Sequence, residues 1–96
     1  MTSKQRAYLK GLAMNIDPVL NICKNSVTPE MITSVTEAID KRELIKIGVL
    51  KNCLDDPKEI ANVIAERSNS QVVQVIGKKI VLYKRNKKNP KIELPK

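Results

Sequence analysis

The chain contains no histidine, tryptophan or phenylalanine, and only two tyrosines, Tyr8 and Tyr83, among its 96 residues. Without histidine it lacks the side chain most used for acid–base catalysis near neutral pH and the commonest metal ligand. With aromatics at 2 %, base stacking is not its expected main mode of binding, and its core must be aliphatic. Cysteine is scarce too. Cys23 and Cys53 follow no zinc or redox spacing and are expected to be free thiols in a reducing cytosol. The three glycines form no phosphate loop of the P-loop type, and Asp55-Asp56 ahead of Pro57 is explained as a helix cap. No stretch approaches the roughly 18 apolar residues of a membrane span, and MTSKQRAYLKG has no apolar core of signal-peptide length. The expectation is a cytoplasmic, non-catalytic protein with no metal, cofactor, membrane or small-molecule substrate. Cys23, beside Lys24 and a helix start, is the one candidate nucleophile.

What the chain has in excess is positive charge. Eighteen lysines and arginines against ten acids give +8 at pH 7 and a pI near 9.7. A domain this small repels itself at such a charge, which points to an anionic partner, nucleic acid first. Hydrophobic residues at 42 % are enough for one compact core in a chain too short for two domains.

The hydrophobic pattern gives the order α-β-α-β-α-β-β. Tyr8 and Leu12, with Leu9 and Ala13, fall at helical spacing, opposite Lys4, Arg6 and Lys10. Asp17-Pro18 ends that helix, and residues 19–23 read as a short buried strand. Thr28-Pro29 is a cap-and-proline start for a second helix over 29–42, with Met31, Val35, Ala38 and Ile39 on one face and Ile32 beside it. In residues 44–50, Ile45, Ile47 and Val49 alternate with Lys46 and Gly48. Asp56-Pro57 starts a third helix running to about residue 68, with Ile60, Ala61, Val63, Ile64 and Ala65 apolar. Residues 72–76 and 80–83 are strands joined by Gly77-Lys78-Lys79. Strands separated by helices are expected to pair in parallel, and the last two antiparallel. This predicts a single α/β domain over residues 1–96, a four-stranded mixed sheet packed with helices, and a basic tail from about residue 85.

The charge is unevenly placed. From Lys78 onward there are eight basic residues against Glu93 alone, so this end supplies +7 of the +8. Lys78, Lys79, Lys84 and Arg85 are held by the hairpin; Lys87, Lys88, Lys91 and Lys96 lie in the tail. The rest of the excess lies in the first helix and at Lys24, in the loop Cys23-Lys24-Asn25-Ser26, small residues between a strand end and a helix start. There backbone N–H groups and the helix dipole favour a phosphate.

Taken together and in this order, KQRAYLKGLA, Asp17-Pro18-Val19, the Lys24 loop, RELIKI and VQVIGKKIVLYK resemble the bacterial YhbY proteins, stand-alone forms of the CRM RNA-binding domain. The resemblance implies a fold related to the C-terminal domain of translation initiation factor three, and RNA binding in association with precursors of the large ribosomal subunit. It also implies that the strand-to-helix loop meets RNA, although the family's GxxG falls here on Cys23, Lys24, Asn25 and Ser26 with both glycines replaced. Met14 stands near the family's usual histidine, and Lys84 stands where an arginine commonly follows the tyrosine. The candidate RNA-binding residues are therefore Lys4, Arg6, Lys10, Cys23, Lys24, Asn25, Ser26, Lys46, Lys78, Lys79, Lys84 and Arg85. They would contact phosphates of structured RNA, large-subunit ribosomal RNA or pre-50S particles, in ribosome assembly. The alternative is a basic module docking on acidic ribosomal or assembly proteins, for which Ile92 and Leu94 in the tail would suit a partner groove.

Overall fold

The computed structural model describes residues 1–22, 27–51, 53, 55–88 and 90–95. The elements are α1 (Ser3–Ala13), β1 (Leu20–Ile22), α2 (Pro29–Arg42), β2 (Leu44–Val49), α3 (Pro57–Ser68), β3 (Gln71–Ile76) and β4 (Lys79–Tyr83), in the expected order. Each helix begins at a side chain that satisfies an otherwise orphaned N–H. The Thr2 hydroxyl accepts from the Gln5 amide while the Gln5 side chain accepts from the Thr2 amide, a reciprocal capping box. Thr28 caps α2 through the Met31 N–H, and Asp56 caps α3 through the Lys58 N–H. Proline occupies the first turn of both α2 and α3.

The sheet order is β1-β2-β4-β3. β1 and β2 run parallel, whereas β4 is antiparallel to both its neighbours. β2 and β3, although joined by a helix, are thus not paired; β4 lies between them. The reason is compositional. Ile80, Val81, Leu82 and Tyr83 of β4 are all buried and need cover on both faces and both edges, while β3 carries Gln71 and Gln74 and a bulge between Val72 and Gln74, features that suit an edge.

Helices cover both faces. Against one, α2 and α3 bury Val35, Ile39, Ile60, Ala61 and Ile64 on Ile45, Ile47, Val49, Ile80 and Leu82. Against the other, α1 buries Leu9 and Ala13 on Leu44, Val73, Val81 and Tyr83. The side of α1 turned to the core is therefore Leu9–Ala13, with Leu12 at its margin, while Tyr8 is 43 % exposed. Val63 of α3 also faces outward. The segment after β4 folds onto the domain. Ile92 and Leu94 pack on the α1 side of the core, and the Gln5 side chain donates to the Pro95 carbonyl.

Candidate nucleic-acid interface

Side chains two residues apart in a strand share a face, so the pairing register defines rows across the sheet. One row joins Asn21, Gly48, Lys79 and Ile76 across all four strands, and the next joins Lys46, Val81 and Gln74. Both lie on the α1 side. α1 covers the far end of that face and stops short of the Asn21–Ile76 row. A Cβ on Gly48 would collide with the Asn21 side-chain oxygen and come 3.4 Å from the Lys79 Nζ. The glycine thus leaves the polar ends of Asn21 and Lys79 room to lie over the strand.

Between the last turn of α1 and these rows, a cleft of about 210 Å³ is lined by Lys10, Ala13, Met14, Lys46, Gln74, Ile76, Lys79 and Val81. Three cations from three different elements converge there, and none of the lining residues is acidic. Met14 and Ile76 are 81 % and 59 % exposed, large apolar side chains that line the same cleft as the three lysines. A wider cleft of about 800 Å³ opens at the other end of β4, lined by Asp40, Asn69, Gln71, Tyr83, Lys84, Arg85, Asn86, Lys87 and Lys88. Lys84 is paired there with Asp40 at 3.1 Å, and Arg85, Lys87 and Lys88 are exposed.

The candidate residues therefore fall into separate groups. Lys10, Lys46 and Lys79 form the first cleft, and Lys84 and Arg85 belong to the second, together with the tail residues Lys87 and Lys88. Lys78 is exposed in the turn after Gly77, and Lys4 is exposed on the first turn of α1. Arg6 is engaged with the protein itself. Its Nη1 donates to the Val72 and Val73 carbonyls at 2.7 and 2.8 Å, where the bulge leaves β3 acceptors out of the ladder. Cys23, Lys24, Asn25 and Ser26 lie outside the described residues. Among the described residues, no group of histidine, cysteine, aspartate or glutamate side chains could hold a metal ion, and no helix is long and apolar enough to cross a membrane.

Sequence reasoning missed Met14, Gln74 and Ile76 as cleft residues. The signal available for the last two was the alternation of β3, which puts positions 74 and 76 on one face just before the turn. It also missed Glu43, which is wholly buried. The Glu43 carboxylate accepts the backbone N–H groups of Asn86, Lys91 and Ile92, and its own carbonyl accepts from Lys84 at 2.8 Å. This one residue fixes the segment carrying the second cleft's cations. Tyr83 stands beside it, and burial first, then the Glu43 charge, raises the phenol's pKa against an opposing pull from Arg85.

Comparison with known proteins agrees with this architecture. The model of the CRS1 / YhbY (CRM) domain matches residues 1–84. The chain is 43 % identical over 95 residues to probable RNA-binding protein YqeI of Bacillus subtilis, covering 99 % of both chains. It is 33 % identical over 96 residues to an RNA-binding protein of Haemophilus influenzae, covering 100 % of this chain and 96 % of the relative. The solution structure of a hypothetical Staphylococcus aureus protein, considered a candidate RNA binder, matches with a TM-score of 0.84 at 46 % identity over 99 % of both chains.

Proposed function

The chain belongs to the CRS1 / YhbY (CRM) domain family, and from that premise we propose that it is a non-catalytic, cytoplasmic RNA-binding protein that holds structured RNA by its phosphates. The observation that carries this reading is the convergence of Lys10, Lys46 and Lys79 on one cleft with no acidic side chain in its lining. Uncompensated ammonium groups repel one another and are stabilised by an anion that touches all three. Lys84, Arg85, Lys87 and Lys88 provide a second set of contacts at the opposite end of β4. Lys79 and Tyr83, at the two ends of that strand, are about 14 Å apart at the usual rise per residue. Lys4 and Lys78 extend the basic surface, and the loop carrying Lys24 follows β1 directly in the chain.

The RNA we assign is that of the large ribosomal subunit or its precursor, with a role in its assembly. The competing reading is a basic module docking on acidic proteins; the tail residues Ile92 and Leu94, which would suit a partner groove, are packed against this domain's own core, which leaves that reading the charged surface alone. The test is binding of the purified chain to large- and small-subunit ribosomal RNA fragments of equal length, over a salt series. With about six phosphates contacted, log affinity falls against log salt with a slope of roughly −4 to −5, and large-subunit fragments bind more tightly. Equal affinity for both sets would remove the large-subunit assignment. Capture of ribosomal proteins that survives nuclease digestion, with no RNA binding, would replace RNA by a protein partner.

A further inference from the structure

The Lys10–Lys46–Lys79 cleft has one property that phosphate binding does not use. Its walls carry Met14 and Ile76, two of the few large apolar side chains the domain leaves exposed. A phosphate has no use for a thioether or a branched alkyl group, and in a paired RNA helix the base faces are covered by their neighbours in the stack. An unpaired base is different, since its faces are free and it remains tethered to phosphates on both sides. The cleft, about 210 Å³, is on the scale of a single planar base.

Resting on the RNA-binding reading above, we infer that this cleft seats a single unpaired nucleotide, its base against Met14 and Ile76 and its flanking phosphates on Lys10, Lys46 and Lys79. The chain has no aromatic side chain for this task in the cleft, because Tyr83 is buried and Tyr8 is not among the lining residues. Methionine sulfur makes favourable contacts with aromatic rings, and methionine and isoleucine serve as apolar wedges against unstacked bases in other nucleic-acid complexes. Gln74, in the cleft wall, offers both a donor and an acceptor to the base edge.

The test uses two RNA stems with equal numbers of phosphates, one fully paired and one with a single unpaired 2-aminopurine. The wild-type chain is compared with Met14→Ser/Ile76→Thr, two changes at exposed positions, the second keeping a β-branched residue in the strand. Wild type binds the stem with the unpaired base about five- to tenfold more tightly, and the 2-aminopurine fluorescence changes as the base leaves the stack. In the double variant that preference and the fluorescence change disappear, while affinity for the paired stem and its salt slope stay as in wild type. Equal affinity of wild type for the two stems, or an undiminished preference in the variant, overturns the base seat and leaves phosphate binding standing. Absence of binding to either stem at low salt overturns the RNA-binding reading, and the base seat with it.

Discussion

Glu43 shows how much one residue decides. It is buried completely and sits at φ 63°, ψ −43°, a left-handed backbone that costs a non-glycine residue about 1–3 kcal/mol. The strain is offset by the three backbone N–H groups its carboxylate accepts from residues 86, 91 and 92. Glu43→Ala keeps the strained backbone and leaves those donors without their acceptor. It should destabilise the domain by on the order of 3 kcal/mol in urea unfolding and remove amide-exchange protection at Lys91 and Ile92. Nothing in Arg42-Glu43-Leu44 announced this role, since a glutamate at a helix end reads as solvent-facing and its partners lie more than forty residues away.

Tyr83 is the other residue of note, because its buried hydroxyl has no hydrogen-bond partner among the described residues. Replacing it by phenylalanine should be neutral, or stabilising by up to about 1 kcal/mol. Its raised pKa has a sign that can be checked. The folded state keeps the phenol proton longer than the unfolded chain, so the associated stability is complete below pH 10. It is lost as pH rises from there through the folded pKa. Stability measured from pH 9 to pH 11, a window bracketing the ordinary tyrosine pKa of about 10, should fall in wild type and fall less in Tyr83→Phe. An equal fall in both would place the effect elsewhere.

At the scale of elements, what was legible in the sequence was local. Thr28-Pro29 and Asp56-Pro57 mark helix starts because a capping oxygen and a proline each act within one turn. Ile45, Ile47 and Val49 reveal their face through a period of two. What was not legible depended on partners. Which of β3 and β4 sits inside the sheet is decided by burial of β4 on both faces, and α1 turns on Leu9 and Ala13 once the sheet is in place, not on Tyr8. Arg6 belongs here as well. On the sequence it is one more cation of a basic helix, whereas in the fold its guanidinium closes the β3 bulge by binding two carbonyls. Arg6→Ala should therefore cost roughly 1.5–3 kcal/mol of stability while the salt slope of RNA binding stays unchanged. A flatter slope with intact stability would make Arg6 a phosphate ligand instead. At the end of α3, Asn69 holds a left-handed φ of 56°, so Asn69→Gly should be neutral or stabilising by a few tenths of a kcal/mol.

At the scale of the whole molecule, seven of the eighteen basic residues line two clefts, one at each end of β4. The acid-free one gathers α1, β2 and β4 cations under the last turn of α1. The other is built from Lys84, Arg85 and tail lysines, fixed in place by Glu43 and moderated by Asp40. The candidate interface was thus partly legible. Basic residues on separate segments were visible in the sequence, but their grouping arises from the sheet order, and the apolar wall of Met14 and Ile76 arises from where α1 ends. The measurement that tests the central claim most directly is the salt dependence of RNA binding for wild type, Lys46→Ala/Lys79→Ala and Lys84→Ala/Arg85→Ala, after urea unfolding shows that each variant is folded. If the acid-free cleft holds phosphates, Lys46→Ala/Lys79→Ala weakens binding and reduces the magnitude of the slope by about 1.4–1.8. An unchanged slope and affinity in that variant, with loss confined to Lys84→Ala/Arg85→Ala, would contradict the claim and move the interface to the other end of β4.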